Sequence, residues 1–90
     1  MHVEGRETKP ILLYALSTCA WCKRVKALLD EMGVAYDYLY VNELDETEKD
    51  AVRAEVLKWN PRCSLPTMVI DEKECVVGFQ EDRIRELVQS

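Results

Sequence analysis

The run Ile11-Leu12-Leu13-Tyr14-Ala15-Leu16 is continuously apolar, and a pair of cysteines follows it at Cys19-Ala20-Trp21-Cys22. Six apolar residues in a row do not alternate between a wet and a dry face. They predict a strand covered on both faces, and hence a sheet with helices packed on it. The residues after Cys19 carry a helical pattern, so the cysteines sit where a strand feeds a helix. Cys-x-x-Cys at such a junction reads as a redox dithiol. Ser17 or Thr18 is placed to cap the helix. Cys19 then lies at the helix N-terminus, where free N–H groups and the macrodipole favour a negative charge. Its thiolate forms more readily than that of a free cysteine, whose pKa is about 8.5. Each unit of depression is about 1.4 kcal/mol in favour of the thiolate. Lys23, Arg24 and Lys26 add positive charge nearby. Cys22 lies one turn on, on the same helix face, close enough to bridge. The competing reading is that both cysteines are inert, buried small hydrophobes.

Ninety residues make one domain, with enough chain to build a core without disulfide staples. The net charge of −5 argues against nucleic acid as a partner. The basic cluster after the dithiol suggests an acidic molecule with a basic site, although a solvated helix face explains it equally simply. The four cysteines are Cys19, Cys22, Cys63 and Cys75. The first ten residues contain no apolar signal segment, and no run is long enough to span a membrane. The expectation is a cytoplasmic monomer, in a compartment where a disulfide is more often catalytic than structural.

Along the chain, residues 1–9 are polar and expected to be a flexible tail, with the domain proper at 10–90. The first helix places Cys22, Val25, Leu28, Leu29 and Met32 on one side, and Gly33 ends it as a C-cap. Tyr36, Tyr38 and Tyr40 alternate with Asp37, Leu39 and Val41, which predicts a second strand over 34–41. Strand, helix and strand form a βαβ unit with parallel strands. A second helix is expected over 43–58, with Leu44, Ala51, Val52, Val56 and Trp59 at helical spacing, stopping before Pro61. A loop with Pro61 and Pro66 leads to a strand at 67–70, a turn at 71–74 and a return strand at 75–77. This hairpin lacks the glycine or asparagine its turn would favour. A last helix carries Ile84, Leu87 and Val88, with Glu81 and Asp82 in its first turn.

Three separated motifs carry a resemblance over nearly the whole chain from Ile11 onward. They are Cys19-Ala20-Trp21-Cys22 after the first strand, Ser64-Leu65-Pro66 before the third, and Gly78-Phe79 before the last helix. In this order and spacing the chain resembles the glutaredoxin family of the thioredoxin fold. The resemblance implies an α/β architecture, a four-stranded mixed sheet in the order 2-1-3-4 with three flanking helices, and a cis Leu65–Pro66 bond beside the dithiol. It implies that Leu65 offers backbone groups to a bound disulfide, with Pro66, Gly78, Phe79 and Gln80 around it. Trp21 supplies an aromatic wall. The chain has Cys-Ala-Trp-Cys where Cys-Pro-Tyr-Cys is usual, and Gly78-Phe79-Gln80 where a second glycine and a polar pair are usual. The Gly-Phe form looks more like the glutaredoxin-like electron donors of ribonucleotide reductase, which a thioredoxin reductase recharges. No lysine stands just before the dithiol, and Arg62 is a candidate carboxylate partner in its place, or simply a solvated loop residue.

The chemistry so implied is thiol–disulfide exchange on protein disulfides or glutathione mixed disulfides. Cys19 is the nucleophile and Cys22 the resolving thiol. No tightly bound cofactor is expected, and either glutathione or a thioredoxin-type reductase returns the electrons. Cys63, three positions before Pro66, reads as a partly buried loop cysteine, a regulatory thiol or a third ligand. Cys75 reads as core and His2 as a bystander. A metal or iron–sulfur site is the other class of function, but Cys63 and Cys75 lack the paired spacing of a zinc site.

Overall fold

A computed structural model describes residues 1–89. In chain order it contains β1 (His2–Val3), β2 (Ile11–Ala15), α1 (Ala20–Met32), β3 (Tyr36–Tyr40), α2 (Glu46–Trp59), β4 (Thr67–Ile70), β5 (Glu74–Val77) and α3 (Glu81–Gln89). The strands form one mixed sheet in the order β1-β3-β2-β4-β5. β2 and β3 are parallel, as the βαβ reading requires, and every other pairing is antiparallel. Without β1 the order is the 2-1-3-4 of a thioredoxin fold, so the implied fold class stands, with one edge strand added.

That strand corrects the picture of residues 1–9 as a loose tail. His2 pairs with Asp37 and Val3 with Tyr36. The Met1 ammonium donates to the Tyr38 carbonyl at 2.7 Å, and His2 Nδ1 lies 2.9 Å from Asp37 Oδ1. Further along, the Arg6 N–H donates to the Gly33 carbonyl and the Arg6 carbonyl accepts the Ala35 N–H. Gly5 passes so close to Val34 that a Cβ would stand 2.6 Å from its carbonyl carbon. Nothing in this polar segment marks a strand, because two residues are too few to show a period.

The continuous apolar run of β2 is explained by two cores, one on each face of the sheet. Ile11, Leu13 and Ala15 point to α1 and α3, where they meet Val25, Leu28, Leu29, Ile84 and Val88. Tyr14 and Leu12 point to α2 and pack with Val56, Val52 and Trp59. The register lines up Tyr38, Leu13, Met68 and Val76 across the sheet in one row. Leu13, Leu29 and Ile84 are wholly buried. Truncating any of them to alanine costs about 2–5 kcal/mol, mostly as lost burial and an unfilled cavity.

α1 ends where glycine permits it. Gly33 takes φ 69° and its N–H reaches the Asp30 carbonyl at 3.1 Å. α2 starts later than its spacing suggested. A 3-10 turn occupies Val41–Glu43, and Asp45 caps the helix by accepting the Glu48 N–H at 2.8 Å. Of the expected core positions in α2, Val56 is buried, Val52 and Trp59 are half-buried, and Ala51 is exposed. The hairpin forms without glycine. Asp71 and Glu72 both take positive φ, at 55° and 53°, as a type I′ turn demands of its two central residues.

Candidate active site

Cys19 stands four residues beyond the end of β2 and directly before α1. It has extended backbone angles, φ −88° and ψ 121°, and is itself the N-cap. Ser17 and Thr18, the capping candidates by residue type, do not cap the helix. Ser17 is committed elsewhere: its N–H donates to Asn42 Oδ1 at 3.0 Å, and Asn42 Nδ2 donates back to Ser17 Oγ at 2.8 Å. The Cys19 sulfur therefore takes the place of a capping oxygen, with the Cys22 N–H donating to it at 3.2 Å. Partial burial raises the Cys19 pKa. Hydrogen bonds from the Cys22 thiol and from the Cys22 and Trp21 backbone N–H groups outweigh this and hold it below its ordinary value. The lowering thus comes from hydrogen bonds to the sulfur rather than from the basic cluster. Lys26 turns away to Asp30, 3.6 Å distant, and lies over the Tyr38 ring. Arg24 stacks 5.0 Å from the Trp21 ring centre.

Cys22 is the contrasting partner. It is buried on the inner face of α1 with Val25 and Leu29. Burial, donation of its thiol to Cys19 and the Cys19 charge push its pKa up to about 12, against a smaller lowering by the Leu16 backbone. The pair is therefore one partly exposed sulfur that ionises below its ordinary value and one buried sulfur that keeps its proton at neutral pH. The two roles that dithiol exchange needs are separated by environment alone.

Around this pair the fold assembles most of the residues singled out from the sequence. Trp21, Leu65, Pro66, Gly78 and Phe79 line one open cavity of about 250 Å³. The Leu65–Pro66 bond is cis, as the resemblance implied. Gly78, at φ 78°, donates its N–H to the Pro66 carbonyl at 2.9 Å, which joins the start of β4 to the end of β5. Phe79 stacks on Trp21 with ring centres 6.1 Å apart, and more than half of the Trp21 surface faces solvent. Arg62 and Gln80 lie outside this cavity. Both are exposed, and Gln80 Nε2 is tied to the Val77 carbonyl at 2.7 Å.

Sequence reasoning passed over Asn60, the C-cap of α2, which is only 4% exposed. Its amide binds Ser64 and Thr67 and so organises the loop leading to Leu65. The one available signal was an asparagine placed directly before Pro61, between a helix and a loop.

The remaining cysteines sit apart from the pair. Cys63 has φ 53° and packs with the α2-side core, two residues before Leu65 along the chain. Cys75 lies in the same row of the sheet as Val69, and its thiol reaches the Trp59 carbonyl at 3.5 Å. Burial raises its pKa despite the opposing charge of Arg83. Among the described residues no three His, Cys, Asp or Glu side chains converge in a way that could hold a metal ion. Among them, too, no helix is long and apolar enough to cross a membrane.

Comparison with known proteins agrees with this geometry. Residues 11–75 match the family model described as glutaredoxin. Among solved structures, the chain superposes on the glutaredoxin from Methanosarcina mazei Go1 with a TM-score of 0.94 and 41% identity, covering 100% of this chain and 87% of that one. It superposes on Methanosarcina acetivorans methanoredoxin with a TM-score of 0.92 and 40% identity, covering 96% and 90%. Glutaredoxin 1 of Rickettsia conorii is 34% identical over 61 residues, which are 68% of this chain and 57% of that protein. The chain belongs to the glutaredoxin family, whose members are thiol–disulfide oxidoreductases.

Proposed function

We propose that the protein reduces protein disulfides and glutathione mixed disulfides through Cys19 and Cys22. The observation that carries this reading is the Cys19 sulfur in the N-cap position of α1, hydrogen-bonded by backbone N–H and half exposed beside a buried partner thiol. The Cys19 thiolate attacks one sulfur of the substrate disulfide. The substrate S–S bond breaks, the leaving sulfur departs as a thiolate and takes a proton from water, and a mixed disulfide remains on Cys19. Cys22 then loses its proton and attacks the Cys19 sulfur, expelling the second substrate thiol and leaving a Cys19–Cys22 bridge. Two electrons have passed to the substrate. Cys22 is easier to ionise in the mixed disulfide than in the resting enzyme. The Cys19 charge and the hydrogen bond to that thiolate, both of which raise its pKa, are then gone.

Leu65 and Pro66 form one wall of the binding cavity, and Trp21 with Phe79 the other. In this reading the Leu65 backbone pairs with the peptide-like part of the substrate, as a short added strand would. Gly78 takes the left-handed backbone from which its N–H reaches the Pro66 carbonyl. Glutathione is the proposed reductant, in a cytoplasmic monomer with no tightly bound cofactor. A second reading, recharging by a thioredoxin-type reductase, is favoured by the apolar Trp21–Phe79 stack. Arg62 and Gln80, exposed and outside the binding cavity, are in this reading contacts for a longer substrate.

The test is turnover of a glutathione mixed disulfide with glutathione as sole reductant, beside a Cys19→Ser control. Rapid turnover lost in the control establishes the glutathione-linked activity. Turnover supported only by thioredoxin reductase and its nicotinamide donor selects the second reading. No Cys19-dependent turnover with either reductant overturns both.

A further inference from the structure

The segment between α2 and β4 must present Leu65 in a fixed place, yet it contains no regular structure of its own. Its anchor is one side chain. Asn60 Nδ2 stands 3.0 Å from the Ser64 carbonyl, 3.0 Å from Ser64 Oγ and 3.2 Å from Thr67 Oγ1. Its Oδ1 accepts the Arg62 N–H at 3.1 Å. The Thr67 hydroxyl donates its own proton to the Ser64 carbonyl at 2.7 Å, which leaves its lone pairs free to accept from Asn60. The backbone of Asn60 serves the same end: its carbonyl accepts the Cys63 N–H at 2.9 Å, and its N–H returns to Val56. The reverse orientation of the amide would set Oδ1 against the Ser64 carbonyl, so the network itself fixes which way the group points. Asn60 and Thr67 are buried polar residues, 4% and 0% exposed, and no buried side-chain N or O atom among the described residues lacks a partner. Ser64 itself reaches the surface, but the Asn60–Thr67 bond is buried, so losing either of these two members strands the other.

The two ends of this network grip both sides of Leu65. Asn60 closes α2, and Thr67 opens β4, where it pairs in register with Tyr14 of β2 and Val77 of β5. Ser64 lies immediately before Leu65 and Thr67 immediately after Pro66. On the reading of the preceding subsection, on which this inference rests, the Leu65 backbone is what a substrate disulfide pairs with. We infer that Asn60, acting with Thr67, is a positioning residue: it holds the Leu65 backbone at the height where it meets the substrate of Cys19. Asn60 is not a catalytic residue, since its side chain is spent on the loop and reaches neither sulfur.

This assigns a kinetic signature. Loosening the loop weakens a contact made to bound substrate before and during the reaction, so it raises the half-saturating concentration and spares the maximal rate. It leaves the Cys19 thiolate alone, because the groups that stabilise that thiolate belong to Trp21 and Cys22. The test is single-turnover reduction of a disulfide-linked peptide by the prereduced protein, which needs no choice of reductant. Asn60→Ala and Thr67→Val should each raise the half-saturating peptide concentration by roughly three- to tenfold, the worth of a buried hydrogen bond. Thr67→Ser, which keeps the hydroxyl, should return it to near the wild-type value. In all three, the pH profile of Cys19 alkylation by iodoacetamide should overlay that of the wild type. Should Asn60→Ala fail to fold, Thr67→Val against Thr67→Ser decides, since valine keeps the branched shape that suits β4. An unchanged half-saturating concentration in a folded variant overturns the inference and leaves Asn60 a merely structural residue. A shift of the alkylation profile as large as the kinetic change overturns it as well. If the wild-type protein reduces no peptide at all, the functional reading falls and takes this inference with it.

Discussion

The separation of the two thiols can be put to a direct chemical test, by treating the reduced protein with limiting iodoacetamide at pH 7. Cys19 is held below the ordinary cysteine value of 9.0, while Cys22 is pushed up to about 12. The two therefore differ by at least about three units, and the thiolate populations at pH 7 by at least about 1000-fold. Part of this is returned, because a more basic thiolate is the better nucleophile. With a Brønsted slope of 0.4–0.5, three units give Cys22 back roughly 15- to 30-fold. The net preference for Cys19 is at least about 30-fold before access is counted. Access adds to it, since Cys22 is only 2% exposed. Time-resolved peptide mapping by mass spectrometry should show the label on Cys19 long before Cys22. Labelling of Cys22 at a comparable rate, or ahead of Cys19, would refute the reasoning, because it would mean that the N-cap geometry does not set the ionisation of the pair.

Two further outcomes follow from the same structure. Four acids, Cys22, Tyr36, Tyr14 and Cys75, have pKa values raised on folding, each chiefly by burial, and Tyr36 also by donating its hydroxyl to Asp30 at 2.7 Å. An acid with a raised pKa holds its proton longer in the folded state than in the unfolded one, so stability falls as pH rises past the ordinary values near 9 and 10. The lowered Cys19 works in the opposite direction, and its contribution is lost as pH falls through its folded value. The reduced protein should therefore show a Tm that drops steadily between pH 8.5 and pH 10.5, less steeply in Tyr36→Phe; a flat profile would count against the buried assignments. At the β4–β5 turn, Asp71→Asn with Glu72→Gly should relieve two left-handed residues and raise stability by about 1 kcal/mol, seen as a Tm higher by roughly 4–8 °C. No gain in denaturant unfolding would show that the turn is not of the I′ type.

Much of this molecule was legible because its signals are local. The unbroken apolar run at Ile11–Leu16 needed no tertiary information to announce a strand covered on both faces. The spacing of Cys22, Val25, Leu28 and Leu29 fixed the inner face of α1, and Gly33 its end. What escaped depends on partners distant along the chain. β1 exists only because β3 offers an edge to pair with, and Gly5 the room to approach it. Ser17 and Thr18 are good caps by residue type, yet Asn42, 25 residues on, claims Ser17 and leaves the capping to a sulfur. The positive charges of Lys23, Arg24 and Lys26 were visible, but not that Asp30 and the Tyr38 and Trp21 rings would occupy Lys26 and Arg24. Asn60 in sequence is a polar residue beside a proline. Its importance lies in three acceptors that only the folded loop brings within reach.

The central claim is that Cys19 makes the covalent bond to substrate and Cys22 resolves it. It is tested most directly by removing the second step. A Cys22→Ser variant, prereduced and exposed to a disulfide-linked peptide, should halt as a mixed disulfide. Intact-mass measurement should show one added peptide thiol per chain, and non-reducing peptide mapping should place it on Cys19. An adduct on Cys63 or Cys75, or no stable adduct while wild-type protein reduces the same peptide, would contradict the account.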